Sequence, residues 1–261
     1  MITLSAGVPR VAHRARVAIL AAAVALAGCG TTDAADPLIP DAFGRVRFVN
    51  LITDATRVPV NAILEGVPFG VNMAYGGTTP STLPAPANAI YAPVLTGTRT
   101  LVLRRTADTT VTVASIPLQV ATAVDYTVYS TGGAGASAIA PFITTDTNTT
   151  PAAGQVRVRV VHLAPSAGNV DVFVTAVNAD LAAATPTLTN VPLRASAYLS
   201  VPAGTYQVRV VPAGTAAASR AANVAINLAS VALPANGART IIAADNATGG
   251  APFRFIALVD R

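Results

Sequence analysis

The side chains that carry most enzyme chemistry are scarce in this sequence. Its 261 residues include one cysteine, two histidines, a single glutamate (Glu65) and no lysine. His162, Ser166 and Asp171 supply the types a serine hydrolase needs: an imidazole base, a hydroxyl nucleophile and an orienting carboxylate. The local pattern argues against that use. Asp171 lies between Val170 and Val172 in an alternating stretch, so it reads outward while they read inward. No nucleophile-elbow sequence exposes a serine. A glycosidase needs two carboxylates at a set separation, and Glu65 has no evident second. One histidine outside the N-terminal stretch, without a second histidine or a nearby cysteine, does not make the usual zinc site. The calcium loop of alternating acids closed by Glu is absent, as is a glycine-rich phosphate loop between strand and helix. The expectation is a non-enzyme with no cofactor, no metal site and no catalytic residue.

His162 has a plainer reading. It falls in phase with Val156, Val158 and Val160, at the inward edge of an expected strand, and Asn50 holds the matching place in an earlier segment. A buried polar group needs a hydrogen-bond partner. Both residues are expected to clamp the backbone of the loop that follows them.

Cys29 points to a different chemistry. Arg10, His13, Arg14 and Arg16 precede an uninterrupted apolar run, Val17 to Ala27. Basic residues followed by an apolar run are the order of a secretory signal, and the run is too short for the ~20 residues of a spanning helix. Leu26-Ala27-Gly28-Cys29 fits the bacterial lipobox. A thiol in that motif is joined to diacylglycerol, the signal is cut before the cysteine, and the new amino group is acylated, palmitate being the expected acyl chain. Three acyl chains exceed the two signals that stable anchoring requires. Gly30, rather than Asp, follows the cysteine, which favours the outer membrane of a bacterial envelope.

Charge agrees with an exported chain. All 17 basic residues are arginine, three of them ahead of Cys29, so the remainder carries 14 Arg against 12 acids. No basic stripe survives there, which argues against nucleic-acid binding. The lack of further cysteines means that apolar burial, not disulfides, must hold the fold.

These groups have to be held by repeated elements. Arg45–Leu51 (RVRFVNL) matches Arg157–Leu163 (RVRVVHL), and Val60–Leu64 matches Val170–Val174. The segment from Tyr91 through TGTRTLVL matches that from Tyr198 through AGTYQVRV. Asp125–Tyr129 pairs with Arg239–Ala243, and Ala-Pro-Phe occurs at 140–142 and 251–253. Alternation marks strands: valines 156, 158 and 160 point one way and Arg157 and Arg159 the other, as in a strand buried on one face. Pro202-Ala203-Gly204 turns the chain into an alternating Tyr206, Val208 and Val210. The fold class expected is all-β: two tandem immunoglobulin-like or transthyretin-like β-sandwich domains of roughly seven strands each. The domain boundaries are 1–28 signal peptide, 29–43 lipidated cysteine and tether, 44–145 first sandwich, 146–153 polar linker and 154–261 second sandwich.

VRVVHLAPSAGNVDVFV, with the later YLSVPAGTYQVRVVPAG, resembles the bacterial "domain of unknown function 4397" repeats. Those run strand, His-Ala-Ser-Pro-Asp-Ala-Pro, strand, then a Val-Pro-Ala-Gly-Thr-Tyr hairpin. The resemblance is close over 154–215 and weaker over 44–145, where Asn50-Leu-Ile-Thr-Asp-Ala replaces the histidine loop. Ser166 follows Pro165 where the family has Asp, which removes a carboxylate from that loop. The resemblance implies an exported or lipid-anchored envelope protein, often with two copies, and no settled activity.

Together these readings describe a cell-envelope lipoprotein whose sandwiches form a non-catalytic binding or structural module at the membrane surface. Its expected partners are the membrane, through the N-terminal lipid, and an envelope protein or polysaccharide. The alternative is a hydrolase or an accessory subunit of an envelope enzyme.

Overall fold

A computed structural model describes residues 42–80 and 91–261. The expected signal, its Leu26, Ala27 and Gly28, the lipidated Cys29 and the tether up to residue 41 lie outside the described residues.

The first repeat contains β1 (Phe43–Ile52), β2 (Val60–Leu64), β3 (Val67–Met73), β4 (Ala92–Leu95), β5 (Gly97–Arg105), β6 (Asp108–Val120), β7 (Asp125–Gly132) and β8 (Ile139–Asp146). The second contains β9 (Gln155–Leu163), β10 (Val170–Thr175), β11 (Leu188–Val191), β12 (Ser196–Pro202), β13 (Gly204–Pro212), β14 (Ile226–Leu233), β15 (Ala238–Ala244) and β16 (Arg254–Val259). Among the described residues each repeat is thus a β-sandwich of eight strands rather than the seven expected. The short edge strands account for the difference, because four residues such as Leu188–Val191 are too few to show a period.

Sheet order repeats without change. The first sandwich pairs β4-β1-β7-β8 with β3-β2-β5-β6, and the second pairs β12-β9-β15-β16 with β11-β10-β13-β14. Within each, the first and seventh strands run parallel and the other pairings are antiparallel. A constant-type immunoglobulin sandwich divides seven strands four and three; the four-and-four division departs from it.

The cores follow from alternation. Val46, Phe48 and Ile52 of β1 pack with Leu101, Leu103, Ile116 and Leu118 in the first core. Val156, Val158 and Val160 of β9 pack with Val208, Val210 and Ile241 in the second. The opposite face of these strands is buried too, which corrects the one-face reading. Val49, Leu51 and Tyr129 of the first repeat form a third cluster with Val161, Leu163 and Ile242 of the second. The two sheets built around β1 and β9 therefore pack on each other and leave the other two sheets outermost. Strands flanked by apolar contacts on both faces are those whose alternating "outward" residues meet a second layer. The described residues of both repeats fall within one compact unit.

The segment read as a polar linker is stitched down. Asp146 is the last residue of β8 and is buried. The Thr147 amide donates to Tyr198 Oη at 3.0 Å, and Asn148 Nδ2 donates to Asp125 Oδ2 at 2.6 Å.

Candidate functional site

His162 and Asn50 sit at the ends of matching strands but hold different loops. His162 Nε2 lies 2.7 Å from the carbonyl of Gly168, so it clamps the loop after β9 across a short 3-10 turn, Pro165–Ala167. Asn50 Nδ2 donates instead to the carbonyls of Met73 (2.9 Å) and Ala74 (3.2 Å), at the end of β3, and its Oδ1 accepts from the Ile52 amide at 3.2 Å. A shorter side chain reaches a nearer strand end, where the longer imidazole spans its own loop.

Ser166 and Asp171 do not meet His162 in the manner of a hydrolase. Ser166 Oγ donates to Asp245 Oδ2 at 2.8 Å. Asp171 accepts from the amides of Asn190 in β11 (2.8 Å) and of Gly214 in the turn after β13 (3.4 Å), tying both to β10. Among the described residues no group of three His, Cys, Asp or Glu is placed to hold a metal ion. No described helix is long and apolar enough to cross a membrane.

The most heavily bonded polar cluster lies between the repeats, where alternation had placed solvent. Arg47 is 3% exposed and Arg159 1%. Arg47 Nη2 donates to Asp260 Oδ1 of the second repeat at 2.8 Å and to Thr127 Oγ1 at 2.9 Å. Arg159 Nη1 donates to Asp146 Oδ1 of the first repeat and to Thr144 Oγ1 at 3.0 Å, while its Nε donates to Thr240 Oγ1 at 3.0 Å. Each repeat thus offers an arginine to the other's terminal aspartate, the reciprocal pattern of a two-fold interface. Tyr91 donates to Asp146 Oδ2 at 2.7 Å, and its ring lies 4.7 Å from the Arg47 guanidinium. The matching Tyr198 ring lies 4.1 Å from Arg157 and 5.5 Å from Arg159.

Two guanidiniums and two carboxylates balance in charge, which is what permits them to leave water. Burial pushes the Asp146 carboxyl up. The hydrogen bond and charge of Arg159, with hydroxyl bonds from Thr127 and Tyr91, outweigh this and hold it below the usual carboxylate range. Burial pushes the Tyr129 hydroxyl, within the same cluster, up to about 12. These residues were visible as repeat matches: Arg47 with Arg159, Tyr91 with Tyr198. The sequence match of Asp125–Tyr129 to Arg239–Ala243 is one residue out of register. Arg47 pairs with Thr127 across β1 and β7, and Arg159 with Thr240 across β9 and β15, so Thr127 rather than Tyr126 corresponds to Thr240. The two Ala-Pro-Phe triplets are not equivalent either, since one lies in β8 and the other precedes β16.

One apolar recess opens at the β3–β4 edge of the first sandwich. It measures about 260 Å³ and is lined by Leu64, Val67, Phe69, Val94 and Leu95, with Glu65 and Arg99 beside them. A larger recess, about 780 Å³, lies along Arg45, Asp125 and Asn148. There Arg45 forks onto both Asp125 oxygens, at 2.7 and 2.6 Å, so its charges are spent on each other.

Fold and interface together define a double β-sandwich fused through its inner sheets. The sequence model of the family described as Domain of unknown function (DUF4397) matches residues 44–173, and the chain belongs to that family. The match runs from β1 through β8 and into the second repeat as far as Phe173. No curated protein matches the chain.

Proposed function

We propose that the protein is a cell-envelope lipoprotein that carries a non-catalytic binding or structural module on a lipid attached to Cys29. The observation that carries this reading is the reciprocal Arg–Asp cluster between the repeats. A pair of sandwiches joined by buried ion pairs and an apolar seam suits a rigid spacer or display body. The side chains available for chemistry support it: His162, Ser166, Asp171 and Asp245 are spent on loop backbone and on one another. The lipobox supplies the location, an outer-membrane anchor being favoured by Gly30. The partner we favour is an envelope protein or polysaccharide met at the exposed sandwich surfaces.

Growth of a bacterial host expressing the full chain with an alkynyl palmitate analogue tests the anchor. The expected result is a labelled protein in the envelope fraction, and an unlabelled, unprocessed one for Cys29→Ser. Equal labelling of both forms would overturn the lipid reading.

A further inference from the structure

The two repeats are internal controls for each other, and they differ around one arginine. Arg45 of β1 and Arg157 of β9 hold matching places. Across the parallel pairing Arg45 faces Asp125, and its Nε and Nη2 fork onto that carboxylate. Arg157 faces Ala238 instead. Across the antiparallel pairing Arg45 faces Pro93, whereas Arg157 faces Ser200. The second repeat thus has a methyl group in place of the neutralising acid and a hydroxyl opposite the guanidinium. Among the described residues Arg157 forms no ion pair. Its Nη1 donates to Thr149 Oγ1, and its guanidinium lies 4.1 Å from the centre of the Tyr198 ring. Its Nε and Nη2, the donors that Arg45 spends on Asp125, bond to no described residue and reach solvent. Arg157 lines a recess of about 290 Å³ together with Thr149, Thr150, Pro151, Tyr198 and Ser200, and no carboxylate lines it.

We propose that this recess binds a carboxylate-bearing sugar unit of an acidic polysaccharide. The proposal rests on the binding-module reading above and narrows its partner. A guanidinium without a counter-ion at an open recess selects an anion. Its Nε–Nη2 edge takes a carboxylate side-on, as the same edge of Arg45 takes Asp125 in the first repeat. The hydroxyls of Thr150 and Ser200 line the recess and bond to no described residue. Each can donate and accept, which suits the hydroxyls of a sugar ring better than the alkyl stem of an acidic side chain. The volume stands at the roughly 300 Å³ where small-molecule sites begin, so it holds one ring. β12 is the edge strand of its sheet, so the polymer can run on past the recess.

The test uses the chain from Gly30 to Arg261, isotopically labelled and titrated with trigalacturonate. Saturable NMR shifts centred on the amides of Thr149, Thr150, Arg157, Tyr198 and Ser200 are expected, and none with neutral galactotriose. Arg157→Gln should weaken trigalacturonate about tenfold, the loss of one charge-assisted contact. Ala238→Asp, which installs the first repeat's acid beside Arg157, should weaken it as much without altering the lining of the recess. Absence of saturable shifts, equal shifts with galactotriose, or undiminished binding by Arg157→Gln or by a folded Ala238→Asp would overturn the proposal. So would a response to triglutamate or inorganic phosphate as strong as that to trigalacturonate, which would assign the site to an acidic protein or a bare anion. Arg157→Gln decides the matter alone if Ala238→Asp does not fold. Palmitate labelling decides the anchor separately, so failure here would remove the polysaccharide and leave an anchored module with a protein partner.

Discussion

His162 shows how a single side chain couples this fold to pH. Its Nε2 must carry the proton to donate to Gly168, and its Nδ1, 3.5 Å from the Ala164 amide, is on the accepting side. That is the neutral imidazole. Burial pushes its pKa below the ordinary 6.5, with the Gly168 bond and the Asp245 charge pulling the other way. The unfolded chain therefore takes up a proton near pH 6.5 while the folded one does not. The neutral-histidine contribution is complete above that pH and is lost as pH falls from there towards the depressed folded value. Melting temperatures measured between pH 7 and 5 should fall more steeply for the wild type than for His162→Asn. At pH 7 the variant should be less stable by about 1–2 kcal/mol, since the Gly168 carbonyl loses its donor. The inward phase of His162 is legible from the valines before it. Its partner is not, because that depends on where the Pro165–Ala167 turn carries the chain.

At the scale of elements, the inner sheets are held in register by charges that have left water. Removing one member of a buried pair strands the other, which costs more than the pair itself contributes. Arg159→Met leaves Asp146 buried without its strongest partner and should cost about 3–5 kcal/mol in urea unfolding. Arg159→Met combined with Asp146→Leu should recover most of that loss. A double variant no more stable than the single one would show that the cluster is not the lock described. The sequence signals of this site were present in the repeat, as paired Arg-Val-Arg segments and paired tyrosines. They read as a solvated face because alternation reports that two faces differ, not what covers the second one. The late-strand mismatch has the same root. A one-residue slip exchanges the faces of a strand, and only the Arg47–Thr127 and Arg159–Thr240 pairings fix it.

For the whole molecule, the seam makes the two sandwiches energetically dependent. Val49, Leu51 and Tyr129 are buried only because Val161, Leu163 and Ile242 face them. Calorimetry should therefore give one transition whose calorimetric and van't Hoff enthalpies agree. Val161→Asp places an unpaired carboxylate in the seam and should split the unfolding into two transitions, one for each repeat. Two transitions in the wild type would instead make the sandwiches independent domains.

The amino-acid sequence by itself determined the all-β class, the two-fold repeat, the inward valines of β9 and the scarcity of catalytic groups. Each of these is local: side-chain period, turn residues and composition act over a few positions. Tertiary structure alone decided the strand count, the sheet order, and the burial of Arg47 and Arg159. Those depend on residues separated by up to 213 positions, as Arg47 is from Asp260. No periodicity within a strand encodes what will be packed against its far side, because that free energy arises only when the second layer excludes water.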